Sequence, residues 1–154
     1  MKPFQRILAA TDFSPASRPA LDQAQRLARE GGARLTILHV YHVPALASAP
    51  ETPVTAHSPG VYEDFARAVR ASGQERLDRD VAQALARGID ARGLLREGLP
   101  DEEILDAAET DNADLIVLGT HGRRGPARVL MGSVAGRVVA RATRPVLTVR
   151  AEPD

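Results

Sequence analysis

Leu115-Ile116-Val117-Leu118-Gly119-Thr120-His121-Gly122-Arg123-Arg124-Gly125-Pro126-Ala127-Arg128-Val129-Leu130-Met131-Gly132-Ser133 reads as a strand, a glycine-rich loop and the start of a helix. The four leading residues are an apolar run, too short for a helix and closed by glycine, as a buried strand is. Glycines at a strand exit let backbone N–H groups turn inward and approach a ligand closely. The N-terminus of the following helix adds unpaired N–H donors and a partial positive charge. Together these features suit a phosphate group.

Working outward, the same alternation of strand and helix fills the chain. Ile7-Leu8-Ala9-Ala10 is a first strand, bounded by Thr11-Asp12. Ser14-Pro15 predicts a cap followed by proline at the first helical position. Ala20, Leu21, Ala24, Leu27 and Ala28 recur at helical spacing until Gly31-Gly32. Leu35 to Val40 is a second strand. Residues 43–60 hold prolines 44, 50, 53 and 59 without periodicity and read as a loop. A long helix spans about residues 61–87, with Gly73 placed to kink or divide it and Gly88 placed to cap it. Ile89 to Arg96 reads as a weaker third strand broken by Gly93. Pro100 opens a short helix carrying Ile104, Leu105 and Ala108. After the glycine loop, Val134, Val138 and Ala142 mark one face of a last helix, stopped before Pro145. Val146 to Val149 is a fifth strand. The pattern is that of an α/β fold, a parallel sheet with helices on both faces, in one domain over residues 1–154. In such sheets ligands bind at the carboxyl ends of the strands, at a topological switch point. The glycine loop and Thr11-Asp12 both fall at that edge.

Composition narrows the chemistry. A chain of 154 residues with 44% hydrophobic and 26% charged residues suits a folded soluble domain. Its formal net charge of 0 disfavours nucleic acid as a partner. There is no cysteine, which excludes disulfides, thiol nucleophiles and cysteine-ligated zinc. Met1 to Arg6 carries no long apolar segment, and no run reaches the roughly 18 apolar residues of a membrane span, so a cytoplasmic protein with no membrane partner is expected.

Two known phosphate loops fail against the glycine stretch. The Walker pattern needs a lysine, and Lys2 is the only lysine in the chain. The dinucleotide pattern G-x-G-x-x-G belongs after a first strand, with different spacing. What stands here is G-x2-G-x9-G-S after a fourth strand, from Gly119 through Gly122 to Gly132-Ser133. With Ala10-Thr11-Asp12-Phe13-Ser14, Leu38-His39-Val40 and Arg144-Pro145-Val146-Leu147-Thr148-Val149, it resembles the ATP-binding branch of the universal stress protein family across essentially the whole chain.

The resemblance implies an open five-stranded parallel sheet in the order 3-2-1-4-5 and an adenine nucleotide, ATP with Mg²⁺, as ligand. It implies that Ala10, Thr11 and Asp12 lie beside the adenosine, with Asp12 near the ribose or adenine, and that Val40 offers backbone groups to the adenine edge. Gly119, Thr120, His121, Gly122, Arg123, Arg124 and Gly125 would wrap the ribose and phosphates. Gly132, Ser133 and Val134 would supply backbone donors, with the Ser133 hydroxyl beside them. Some ATP-binding members have proline where this chain has Ala10. Family members commonly pair through the last strand, which implies a homodimer through the C-terminal edge.

Other readings stand beside these. Asp12 also suits a turn before the first helix, and Ser133 suits an N-cap. Histidines 39 and 42 would point to opposite faces of a strand, which disfavours a metal pair. Arg137, Arg141 and Arg144 form a helical stripe, read as a solvated face or subunit contact. No residue is identified as a base positioned for phosphoryl transfer. A nucleotide-dependent stress-response regulator is therefore the first functional reading. A slow ATPase or a phosphoryl or adenylyl transferase is the second, and an interaction module without nucleotide the third.

Overall fold

The short apolar runs form five parallel strands. In the computed structural model, which describes residues 3–43, 60–120 and 131–151, they are β1 (Arg6–Ala10), β2 (Arg34–Tyr41), β3 (Ala91–Glu97), β4 (Leu115–Gly119) and β5 (Val146–Val149). Four helices alternate with them: α1 (Arg18–Gly31), α2 (Val61–Ala86), α3 (Pro100–Thr110) and α4 (Ser133–Arg141). The sheet order is β3-β2-β1-β4-β5, as the resemblance implies. Register follows the hydrophobic pattern, with Ile7 opposite both Leu35 and Leu115, and Ala9 opposite both Ile37 and Val117.

Because side chains alternate along a strand, the central strands bury both faces. Ile7, Ala9, Leu35, Ile37, Leu115 and Val117 pack with Leu21, Ala24 and Ala28 of α1 and Leu77 and Ala84 of α2. Leu8, Leu38, Ile116 and Leu118 pack with Ile104, Ala107 and Ala108 of α3 and Ala135 and Val138 of α4. Leu8, Leu35, Ile37, Leu38 and Val117 are fully buried. Each such side chain stabilises the fold by about 1.5–3 kcal/mol relative to exposure.

Several local expectations are corrected. The first helix begins at Arg18 with Ser17 at its N-cap and Pro19 in its first turn, not after Ser14-Pro15. Ser14 is held in a turn instead, its carbonyl accepting from Ser17 N–H at 3.1 Å. Gly73 does not divide α2, which runs unbroken for 26 residues. It is a packing position, where an added Cβ would lie 3.3 Å from both His39 Cδ2 and Leu95 Cδ1. Gly93 likewise does not break β3, where it pairs with Ile37 beneath Leu77. The cap of α2 is Arg87, with Gly88 following at φ 77°.

The arginine stripe is also reassigned in part. Arg137 and Arg141 reach from α4 to Asp101 in the first turn of α3, at 3.6 and 3.2 Å. Asp101 is buried, so its charge is balanced by two cations rather than by water. The two residues therefore tie α4 to α3. The expected loop over residues 43–60 lies almost wholly outside the described residues, as does His57.

Candidate functional site

The chain leaves β1 through a turn made almost entirely by its own side chains. One further ladder bond, Thr11 N–H to Leu38 O at 2.9 Å, carries the strand past Ala10. The Thr11 hydroxyl accepts from Phe13 N–H at 3.0 Å and lies 3.2 Å from Ser17 Oγ. Asp12 Oδ1 accepts from both the N–H and the hydroxyl of Ser14, at 3.0 and 2.5 Å. Aspartate favours such turns because its short carboxylate reaches the N–H two residues on. Thus Asp12 does build the turn before α1. Phe13 is left at φ 61°, a left-handed conformation that costs an aromatic residue roughly 1–2 kcal/mol.

Strand β4 ends in the same layer. Thr120 N–H donates to Val149 O at 3.0 Å, and Gly132 N–H donates back to Thr120 O at 2.6 Å. Helix α4 therefore starts directly at the carboxyl end of β4. Its N-cap is Gly132, in extended geometry at φ −70° and ψ 164°, and no side chain caps it. This corrects the reading of Ser133 as N-cap, since Ser133 is the first helical residue and is exposed. It also engages one of the three expected backbone donors, because the Gly132 N–H is bonded within the fold. The N–H groups of Ser133 and Val134 occupy the first turn, where helix geometry supplies no partner.

An apolar surface adjoins these groups. Ala10, Val40, Met131 and Val134 are partly buried and pack against the cluster on the α3–α4 face. Met131 lies inside the glycine-rich stretch but has no individual sequence signal. Tyr41, at the end of β2, donates to Glu97 Oε2 at 3.1 Å. Desolvation, then the neighbouring Glu97, raises its phenol above the ordinary range, while Arg70 opposes the shift.

The sheet edge thus brings together Ala10, Thr11, Asp12, Val40, Gly119, Thr120, Gly132, Ser133 and Val134. His121, Gly122, Arg123, Arg124 and Gly125 lie outside the described residues. From β1 the chain passes to α1 on one face, and from β4 to α4 on the other. This divergence is the topological switch point of an open parallel sheet, where ligands bind. Among the described residues, no group of three or more His, Asp or Glu side chains is gathered for a metal. His39 lies within β2 and His42 beyond its end, so the two form no pair on that strand.

Comparison with known proteins agrees with this architecture. The family model described as the universal stress protein family matches residues 3–150. Universal stress protein MJ0531 of Methanocaldococcus jannaschii is 34% identical over 147 residues, covering 96% of this chain and 82% of that protein. Universal stress protein YxiE of Bacillus subtilis is 33% identical over 147 residues, covering 96% and 99%. Among solved structures, the hypothetical protein MJ0577 has the same fold, with TM-score 0.83 at 22% identity and 99% of each chain covered. A universal stress protein solved in complex with cAMP is 26% identical, with TM-score 0.70 over 97% of this chain and 99% of that one. The Archaeoglobus fulgidus protein solved in complex with dAMP shares the fold at 23% identity, with TM-score 0.61 over 97% and 100%. Fold and sequence agree along the chain, which belongs to the universal stress protein family.

Proposed function

We propose that this protein, acting as one domain over residues 1–154, binds ATP with Mg²⁺ in the crevice between the ends of β1 and β4. Occupancy of that crevice would regulate its interactions in the stress response. The observation that carries this reading is the glycine-capped start of α4, hydrogen-bonded to the end of β4 beside the Asp12 turn. The residues fit each part of the ligand. Val40, Ala10, Met131 and Val134 offer an apolar seat for adenine. Asp12 would accept from a ribose hydroxyl, and the Ser133 and Val134 N–H groups would donate to phosphate. Thr11 and Thr120 anchor the strand exits, and Gly119 to Gly125 would wrap the polyphosphate, with Arg123 and Arg124 as cationic partners. Magnesium would be held mainly by phosphate oxygens and water, as this ion favours. A universal stress protein solved in complex with cAMP supports an adenine nucleotide as the class of ligand.

Mass spectrometry of ligand released on denaturing the purified protein tests this. An adenine nucleotide near one per chain is expected when purification retains ligand, whereas a non-nucleotide occupant in that amount would contradict the reading.

We also propose a cytoplasmic homodimer. Strand β5 is the edge of the sheet, and its four residues are half-buried in the single chain. An unpaired edge invites pairing with a second copy. Light scattering is expected to give twice the chain mass, and a monomer at high concentration would contradict it. No helix among the described residues is long and apolar enough to cross a membrane.

A further inference from the structure

The turn that carries Asp12 is held from outside by two residues of other elements. His39, on β2, donates from Nδ1 to Thr11 O at 2.8 Å. A carbonyl only accepts, so this bond places the ring proton on Nδ1. The imidazole also packs on the Phe13 ring, with centroids 4.3 Å apart. From α2, Arg76 Nη2 donates to Phe13 O at 3.3 Å, and its guanidinium lies 4.6 Å above the Phe13 ring. Gly73, one turn earlier on α2, leaves room for the imidazole. The strained Phe13 is thus clamped on its ring and its carbonyl, and it is the residue joining Asp12 to Ser14.

We infer that His39 and Arg76 are positioning residues, which preset the Asp12 carboxylate for its ligand without touching that ligand. This rests on the proposed nucleotide site. Left-handed backbone persists in a bulky residue only where the surroundings over-determine it. The Asp12–Ser14 bonds fix the carboxylate relative to the turn, whereas His39 and Arg76 fix the turn relative to β2 and α2. Releasing either contact lets Phe13 relax and carries Asp12 away from the crevice. Neither residue adjoins the glycine stretch in sequence, and the packing of α2 on β2 brings Arg76 to the turn.

The test uses the full chain and ATP with Mg²⁺. His39→Leu and Arg76→Leu are each expected to weaken ATP binding by about five- to tenfold, near the worth of one hydrogen bond. His39→Asn, whose Nδ2 occupies the place of the imidazole Nδ1, is expected to restore binding to within about threefold of the parent. In an Asp12→Asn background both leucine variants are expected to lose most of their effect, because they act through that carboxylate. Equal fold-losses in the two backgrounds would overturn the inference and leave only a general structural role. Should the parent fail to bind ATP, the nucleotide reading falls, but the brace is still measured. Hydrogen exchange at the Phe13 and Ser14 amides is expected to quicken about tenfold or more in both leucine variants and to recover in His39→Asn. Unchanged exchange at these amides would overturn the inference independently of any ligand.

Discussion

Gly132→Asp is expected to raise the stability of the protein slightly while weakening ATP binding by about a hundredfold or more. The two effects have opposite signs because they draw on the same backbone groups. Gly132 caps α4 in extended geometry that any residue adopts, so aspartate enters without backbone strain. Its carboxylate would accept from the first-turn N–H groups and complement the helix dipole, a gain of about 0.5–1 kcal/mol. That carboxylate would also stand where the phosphate is proposed to bind. Two like charges about 4 Å apart near a protein surface repel by about 4 kcal/mol. About 2.8 kcal/mol, some two-thirds of this, is already a hundredfold loss of affinity. Thermal melting and calorimetric titration of the same sample separate the effects. A variant that melts at or above the parent and still binds ATP at parental affinity would remove the phosphate from the start of α4.

Gly93→Val is expected to destabilise the fold by about 3 kcal/mol. In β3, a Cβ at this position would lie 2.9 Å from Leu77 Cγ and 3.2 Å from Val81 Cγ2. Leu77 is fully buried and cannot swing aside. Helix α2 would have to lift from the sheet, or β3 would have to bend. Overpacking of this kind costs about 1–3 kcal/mol, occasionally more. The strand propensity of valine returns less than about 1 kcal/mol. For a chain of this size, a 3 kcal/mol loss lowers the melting temperature by about 6–12 °C. Gly136→Ala in α4 is the control, because among the described residues no atom beyond its own stretch of helix lies within 4 Å of its Cβ position. It is expected to stabilise by about 0.5–1 kcal/mol. A Gly93→Val protein melting within a degree of the parent would contradict the packing of α2 on β3.

Strand runs such as Leu115 to Leu118 were legible because burial on both faces leaves only apolar residues. Helix α2 was legible in extent although it carries no consistent apolar stripe, since the proline-bearing stretch 43–60 and Gly88 punctuate its ends. The two interior glycines were misread for a common reason. Gly73 and Gly93 look like breakers in sequence, but their small size serves close approach between α2 and the sheet. That approach is tertiary and has no local signature. The start of α1 was misplaced because Ser14-Pro15 and Ser17-Arg18-Pro19 both offer a serine ahead of a proline. The Asp12–Ser14 bonds decide between them. The position of Thr11-Asp12 and Gly119 at the carboxyl edge of the sheet was legible from the strand ends. The brace was not, because Arg76 reaches Phe13 across 63 residues of chain.

Isothermal titration of ATP with Mg²⁺ into protein stripped of bound ligand tests the central claim most directly. Saturable binding at one nucleotide per chain is expected for the parent, with the heat lost in Gly132→Asp. No heat from the folded parent at millimolar ATP and Mg²⁺ would contradict a nucleotide site at the β1–β4 edge.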